Sequence, residues 1–175
     1  MTAQWRLAKS LGTLREQVNF MAPERSKVSD GTIGDEAHSS RKSEHNPNEE
    51  SVVRAMDITH DPAHGCDAGE LALSLVASRD PRILYIIWNR QICSSAIKPW
   101  TWRAYNGTNP HTKHMHISVV DSPLYDQAKD WKISLGPPAP RKPPPDVEPV
   151  PTTKPEPTFW ERLVMAFATL FGIRR

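Results

Sequence analysis

Cysteine is nearly absent: Cys66 and Cys93 are the only two among 175 residues. They are too few and too far apart for a disulfide framework or a cysteine-based zinc knuckle. Two free buried thiols are expected, with a single bridge left open for a chain that matures outside the cytoplasm. Long hydrophobic runs are missing as well. No segment approaches the ~20 apolar residues of a membrane span. Met1–Ser10 lacks the uninterrupted apolar stretch of a signal peptide, so synthesis in the cytoplasm is expected, with release left to another agent. Neither sign of charge dominates, because 22 Lys+Arg face 20 Asp+Glu for a net +2. That balance excludes a strongly basic nucleic-acid coat and an acidic tail. Residues 1–135 hold 16 basic and 16 acidic side chains, so the main body is neutral. A neutral body argues against phosphate-backbone binding, hence no nucleic-acid partner is expected and a histidine-based nuclease is disfavoured.

Proline, in contrast, is abundant and unevenly placed. Ten of the 17 prolines fall within residues 136–158. This divides the chain into a body over 1–135, a proline-rich linker over 136–158 and a terminal segment over 159–175. Polyproline character makes the linker a semi-rigid spacer. In the terminal segment Trp160, Leu163, Val164, Phe167, Leu170 and Phe171 recur at helical spacing, with Arg162, Arg174 and Arg175 at its edge. An amphipathic helix is predicted there. Peripheral contact with a membrane surface and docking onto the body or a second copy are both open readings.

Within the body, Leu7, Leu11, Leu14 and Val18 mark one face of an opening helix that Pro23 stops. Residues 24–50 are polar, with turn signals at Ser29-Asp-Gly31 and Asn46-Pro47, and read as a functional loop or disorder. Val52–Thr59 is a predicted strand. Asp67 and Glu70 form a capping pattern before Leu71, Leu73, Leu75 and Val76, so a helix starts there and ends at Arg79-Asp-Pro81. The apolar run Ile83–Trp88 and the stretch His114–Val120 complete the predicted strands. The expected class is α+β, a small mainly antiparallel sheet with helices packed on it.

The seven histidines cluster at 38 and 45, at 60 and 64, and at 111, 114 and 116. On a strand, His114 and His116 point to one face. Two cationic imidazoles side by side repel, so the pair should be neutral, hydrogen-bonded or metal-bound. Asp57 sits among Ala55, Met56 and Ile58, an expensive place for a carboxylate without a partner or a metal. His45, Asp57 and His116 together make a two-histidine, one-carboxylate set, with a fourth position left for water. That inventory belongs to catalytic zinc rather than to closed structural sites.

Ser43-x-His45, Ala55-x-Asp57-Ile58 and His114-x-His116-Ile-Ser-Val119 resemble the zinc peptidases of peptidoglycan. These comprise D-alanyl-D-alanine carboxypeptidases and phage L-alanyl-D-glutamate endolysins, with the fold of the hedgehog signalling domain. The runs Ser29-Asp-Gly-Thr-Ile-Gly-Asp35 and Trp100-x-Trp-Arg103 before Asn109-Pro-His111 are similar to those of phage lysis enzymes. The likeness spans roughly residues 10–120. It implies that His45, Asp57 and His116 bind Zn²⁺, and that a zinc-bound water attacks a peptide carbonyl. A longer connection separates His45 from Asp57 than in the family. More consequentially, Lys113 and Pro110 stand where a catalytic carboxylate is expected. A general base is still required. The resemblance points to His114, the first histidine of His-x-His; His111 is the second choice, and Glu44 and Glu50 are outside candidates. Arg41, and more weakly Arg25, are candidates to stabilise an oxyanion. His38 is read as either supporting a ligand from behind or facing the substrate, and His60 and His64 as ligand-orienting or plain loop histidines. Trp100, Trp102 and Tyr105 floor a groove or pack the core.

The implied function is a zinc metallopeptidase of the cell wall, a phage endolysin for host-cell lysis. It would act as an endopeptidase or a D,D- or L,D-carboxypeptidase on the peptidoglycan stem peptide. A monomer is expected, reaching the wall or periplasm after release through a holin-type partner. The competing reading is a catalytically inactive, zinc-stabilised wall-binding or virion module.

Overall fold

The computed structural model describes residues 5–34 and 43–136. The proline-rich linker beyond Gly136, the terminal segment predicted as an amphipathic helix, His38 and Arg41 lie outside the described residues.

The fold is α+β. Strand β1 (Arg6–Leu7) runs parallel to β2 (Val52–Val53), and helix α1 (Lys9–Met21) follows directly. Leu7, expected to open the helix, is instead held in β1, because Arg6 N and Ala8 N donate to the carbonyls of Ser51 and Val53. The helix therefore starts two residues later, at Lys9, and buries Ser10, Leu11, Leu14 and Val18. The predicted strand over 52–59 is broken at Arg54 into β2 and β3 (Ala55–Thr59). Arg54 N pairs instead with the Glu44 carbonyl. Helix α2 (Ala68–Ser78) begins as predicted, with the Asp67 carboxylate accepting from Gly69 N and Glu70 N, and ends with Arg79 in the left-handed region. Strands β4 (Ile83–Trp88), β5 (Gln91–Ser94), β6 (Arg103–Ala104) and β7 (His114–Val119) complete the architecture. Short helical turns at Pro62–His64 and Pro123–Asp126 lie between and after them.

The main sheet is antiparallel throughout, in the order β3-β7-β4-β5-β6. Its register separates two chemistries. Met56, Ile117, Ile86 and Cys93 align as one row across four strands. With Ile58, Met115 and Val119, the row's first three residues join Leu11, Leu14, Val18, Leu71 and Leu75 in the buried core. Burying each such side chain contributes about 1.5–3 kcal/mol. The neighbouring row, Asp57, His116 and Ile87, faces the other way. A register shift between Ile83 and Tyr85 opposite Val119 and Ser118 decides which residues of β4 reach which face. It lets Ile83 enter the core while Tyr85, two residues on, turns to the polar face.

Cys66 and Cys93 are free and buried. Burial pushes the Cys66 thiol up to about 11, which leaves it unreactive at neutral pH. After β7 the chain runs back across the helices. Trp131 Nε1 donates to the Ser10 carbonyl at 2.7 Å, and Leu135 is the last buried apolar residue among those described. No helix among the described residues is long and apolar enough to cross a membrane.

Candidate metal centre

Three separate pieces of chain deliver the site. β3 supplies Asp57, β7 supplies His114 and His116, and the polar stretch before β2 supplies His45. The first two are brought together by register, since Asp57 and His116 are direct cross-strand partners. Asp57 Oδ1 lies 3.0 Å from His116 Nδ1, Asp57 Oδ2 lies 3.5 Å from His45 Nε2, and the two histidine nitrogens are 3.1 Å apart. These three side chains could hold a metal ion. The remaining ring nitrogens are already fixed. His45 Nδ1 donates to the Thr32 carbonyl at 2.7 Å, and His116 Nε2 is 2.8 Å from Ser118 Oγ. Such outer bonds set tautomer and ring orientation, leaving the inner nitrogens to converge on one point.

The electrostatics favour a cation there. Burial alone would raise the Asp57 carboxyl, but hydrogen bonds and charge from His116 and His45 hold it well below the usual carboxylate range. Burial lowers the affinity of His116 for a proton more than Asp57 raises it. For His45 burial is outweighed by Asp57 and the Thr32 carbonyl, so its pKa rises. One carboxylate thus faces two imidazoles, and it favours the charged form of His45 while burial disfavours that of His116.

Why His45 and Asp57 take these positions follows from the run Ser29–Gly34, whose opening Ser-Asp-Gly reads as a turn in the sequence. Gly31 bridges Asp57 in antiparallel fashion, with Asp57 N donating to the Gly31 carbonyl at 2.8 Å. Thr32 holds His45 Nδ1, and Gly34 N donates to the His45 carbonyl. Asp30 anchors the strap: it accepts from Thr59 N and Thr59 Oγ1 and forms a two-pronged pair with Arg25, whose side chain is buried. Arg25 is therefore a strut for this strap and does not face the site as an oxyanion stabiliser would.

Two predictions arise here. A Cβ on Gly31 would meet Asp57 Oδ2 at 3.0 Å, tighter than ordinary contact. Gly31→Ala should displace the carboxylate and weaken metal binding by about 10–100-fold, the range seen for outer-shell changes. Metal titration checks this, and thermal unfolding of the metal-free chain should shift little. The second concerns acid. Burial would raise the Asp30 carboxyl, yet Arg25 and Thr59 together lower it below its ordinary 3.8. A carboxyl depressed in the folded state stabilises above its unfolded pKa, and that contribution is lost as pH falls through the folded value. Melting curves between pH 6 and roughly pH 2 should therefore fall more steeply for the native chain than for Asp30→Asn.

The donors lie in a cleft of about 500 Å³ lined also by Tyr85, Tyr105, Asn109, His111 and His114. The Tyr85 ring stacks on His116 at 5.4 Å and 14°, and its hydroxyl donates to Glu44. Glu44 is thus engaged at the rim, while Glu50 accepts from Tyr125 and lines a separate pocket away from the cleft. His114 Nε2 is 4.0 Å from Asp57 Oδ2. His111 Nδ1 lies 2.7 Å from the Asn109 carbonyl, so it carries the proton and leaves the lone pair on Nε2. Burial, then the neighbouring His116 and His114, lowers its pKa to about 4, so it is neutral at pH 7. Its backbone sits at φ 51°, in the left-handed region that non-glycine residues avoid.

Other sequence candidates go elsewhere. His60 Nδ1 accepts from Ala68 N at the start of α2 and packs on Trp88, and His64 pairs with Asp61 in an exposed turn. Neither joins the metal-ligating group. Trp100 and Trp102 pack against the core, whereas Tyr105 lines the cleft 5.4 Å from the His111 ring.

No protein-family model matches the chain, and no curated protein or solved structure matches it either.

Proposed function

We propose that this protein is a zinc-dependent peptidase acting on the stem peptides of bacterial peptidoglycan, in the manner of a phage endolysin. The observation that carries the reading is the convergence of His45 Nε2, Asp57 and His116 Nδ1 at 3.0–3.5 Å from one another inside an open cleft. Tetrahedral zinc with bonds near 2.0–2.1 Å requires donors about 3.3 Å apart, so the set fits that ion. Three protein donors with an accessible side are the inventory of a catalytic rather than a structural zinc. When bound, zinc supplies a water acidified toward neutrality and a Lewis acid for the scissile carbonyl.

The chain's own groups account for the rest. His114, on the same strand face as His116, takes the proton from the attacking water and returns it to the leaving amine. His111 is the alternative acceptor, since the Asn109 carbonyl fixes its tautomer with Nε2 unprotonated. Tyr85 and Tyr105 wall the cleft, where an extended peptide can lie. The missing carboxylate at Lys113 and Pro110 is the observation that favours the second reading, a zinc-stabilised wall-binding module without catalysis.

Digestion of purified peptidoglycan with the zinc-loaded chain, followed by mass spectrometry of the muropeptides, separates the two. The peptidase reading expects new peptide termini, whose identity also names the bond cleaved. Bound zinc with no new termini would establish the binding module instead.

A further inference from the structure

Two donor sets meet at Asp57, and the proposed function uses only one of them as ligands. On the other side, an oxygen of Asp57 and one ring nitrogen each of His111 and His114 lie within 4.8 Å of one another. The two oxygens of Asp57 are placed to serve both sets. Oδ1 is 3.0 Å from His116 Nδ1, while Oδ2 faces His114 Nε2 at 4.0 Å as well as His45 Nε2 at 3.5 Å. A single carboxylate bridging two ions is a recurring arrangement, with the ions about 3.5–4 Å apart.

The histidines of the second set are prepared for a ligand in ways that core histidines are not. His114 turns Nε2 toward Asp57 Oδ2, and the hydrogen-bonding group nearest that nitrogen is the Asn109 side chain at a long 3.5 Å, which leaves the Nε2 lone pair largely uncommitted. His111 is held at its unfavourable φ by Asn109, which receives the His111 backbone N–H on Oδ1 and its ring Nδ1–H on the carbonyl oxygen. Those bonds aim the Nε2 lone pair away from Asn109. The His111 ring centre lies 5.1 Å from that of His114 and 5.6 Å from that of His116, so the second set adjoins the first.

We infer that the cleft binds a second divalent transition-metal ion of the zinc class on Asp57, His111 and His114, with Asp57 shared between both ions, and that this second ion inhibits the enzyme. Two imidazoles and a carboxylate suit zinc and its neighbours rather than magnesium or calcium. The set is wider than the first, and its side chains must close by about an ångström to reach bonding distance, so it fills second. The inhibitory sense rests on the proposed peptidase reading, in which His114 or His111 must keep a lone pair free to accept a proton. An ion on those nitrogens removes that capacity.

Calorimetric titration of the metal-free full chain with zinc tests the site itself. Two steps are expected, the tighter one complete at one equivalent. His111→Ala should keep the first step and lose the second, and Asp57→Ala should lose both. Saturation at one equivalent in the native chain overturns the second site and leaves the first standing. A second step that survives in both His111→Ala and His114→Ala lies elsewhere and overturns it equally. No step at all overturns the metal centre and the proposed function with it. Cobalt(II) titration of the native chain, read by electron paramagnetic resonance, needs no variant. Loss of signal per ion on passing from one to two equivalents is expected of a carboxylate-bridged pair, and two independent full-intensity signals contradict it. Stem-peptide cleavage should fall as the second step fills; an unchanged rate through that step overturns the inhibitory role.

Discussion

His116→Ala and Asp57→Ala should each purify without metal and leave peptidoglycan intact. Structural zinc sites with four protein ligands contribute roughly 10–16 kcal/mol in all, so one ligand accounts for about 2.5–4 kcal/mol, or about 10²–10³ in affinity. The loss should be specific. The opposite face of β7 carries Met115, Ile117 and Val119 into the core, and the opposite face of β3 carries Met56 and Ile58. Those contacts survive either substitution, so the metal-free variants should keep the native circular dichroism spectrum. Elemental analysis of the purified chains checks the first half of this prediction and muropeptide profiling the second. Metal retained at full occupancy in His116→Ala would remove that residue from the ligand set.

A change remote from the cleft should cost the fold most. Arg82 is almost fully buried and pairs through Nε and Nη2 with the two oxygens of Asp80. Its guanidinium also donates to the carbonyls of Gln127, Lys129 and Asp130 and lies 3.7 Å from the Trp131 ring. This one side chain ties the returning segment to the start of β4. Arg82→Ala leaves Asp80 and three carbonyls short of a partner, and removing one member of a buried pair costs about 3–5 kcal/mol. The melting temperature should fall on the order of 10 °C or more. Arg82→Lys should recover little of this, since an ammonium cannot reproduce the planar fork. Zinc stoichiometry at low temperature should stay native in both variants, because Arg82 touches no residue of the cleft.

Of the candidate ligands, Asp57 and His116 were legible in the sequence because each sits in a pattern with local meaning, whereas His45 entered only as the third member of the set and through the family resemblance. A lone carboxylate in an apolar strand needs a partner, and His-x-His on a strand puts two imidazoles on one face. The α2 start was equally local, being written in Asp67 and Glu70. What holds the ligands in place was not. Ser29-Asp-Gly31 reads as a turn, and only its pairing with β3 makes Gly31 the contact that leaves room for the Asp57 carboxylate. Tyr85 was hidden in the apolar run Ile83–Trp88, because the register shift that turns it toward His116 breaks the strand's alternation. Arg25 and Arg82 look like any surface arginine until distant chain brings Asp30 its strap and Trp131 its segment. Strands β5 and β6 are too short to stand out by periodicity. In each case the missing information is a contact across sequence distance, which composition and spacing do not carry.

Whether zinc on His45, Asp57 and His116 makes this chain a peptidase is decided by the rate of stem-peptide cleavage by the metal-free full chain before and after one equivalent of zinc is restored. No cleavage is expected without zinc, and full cleavage at one equivalent. Cleavage by the metal-free chain, or none at one bound equivalent, would contradict that role for zinc.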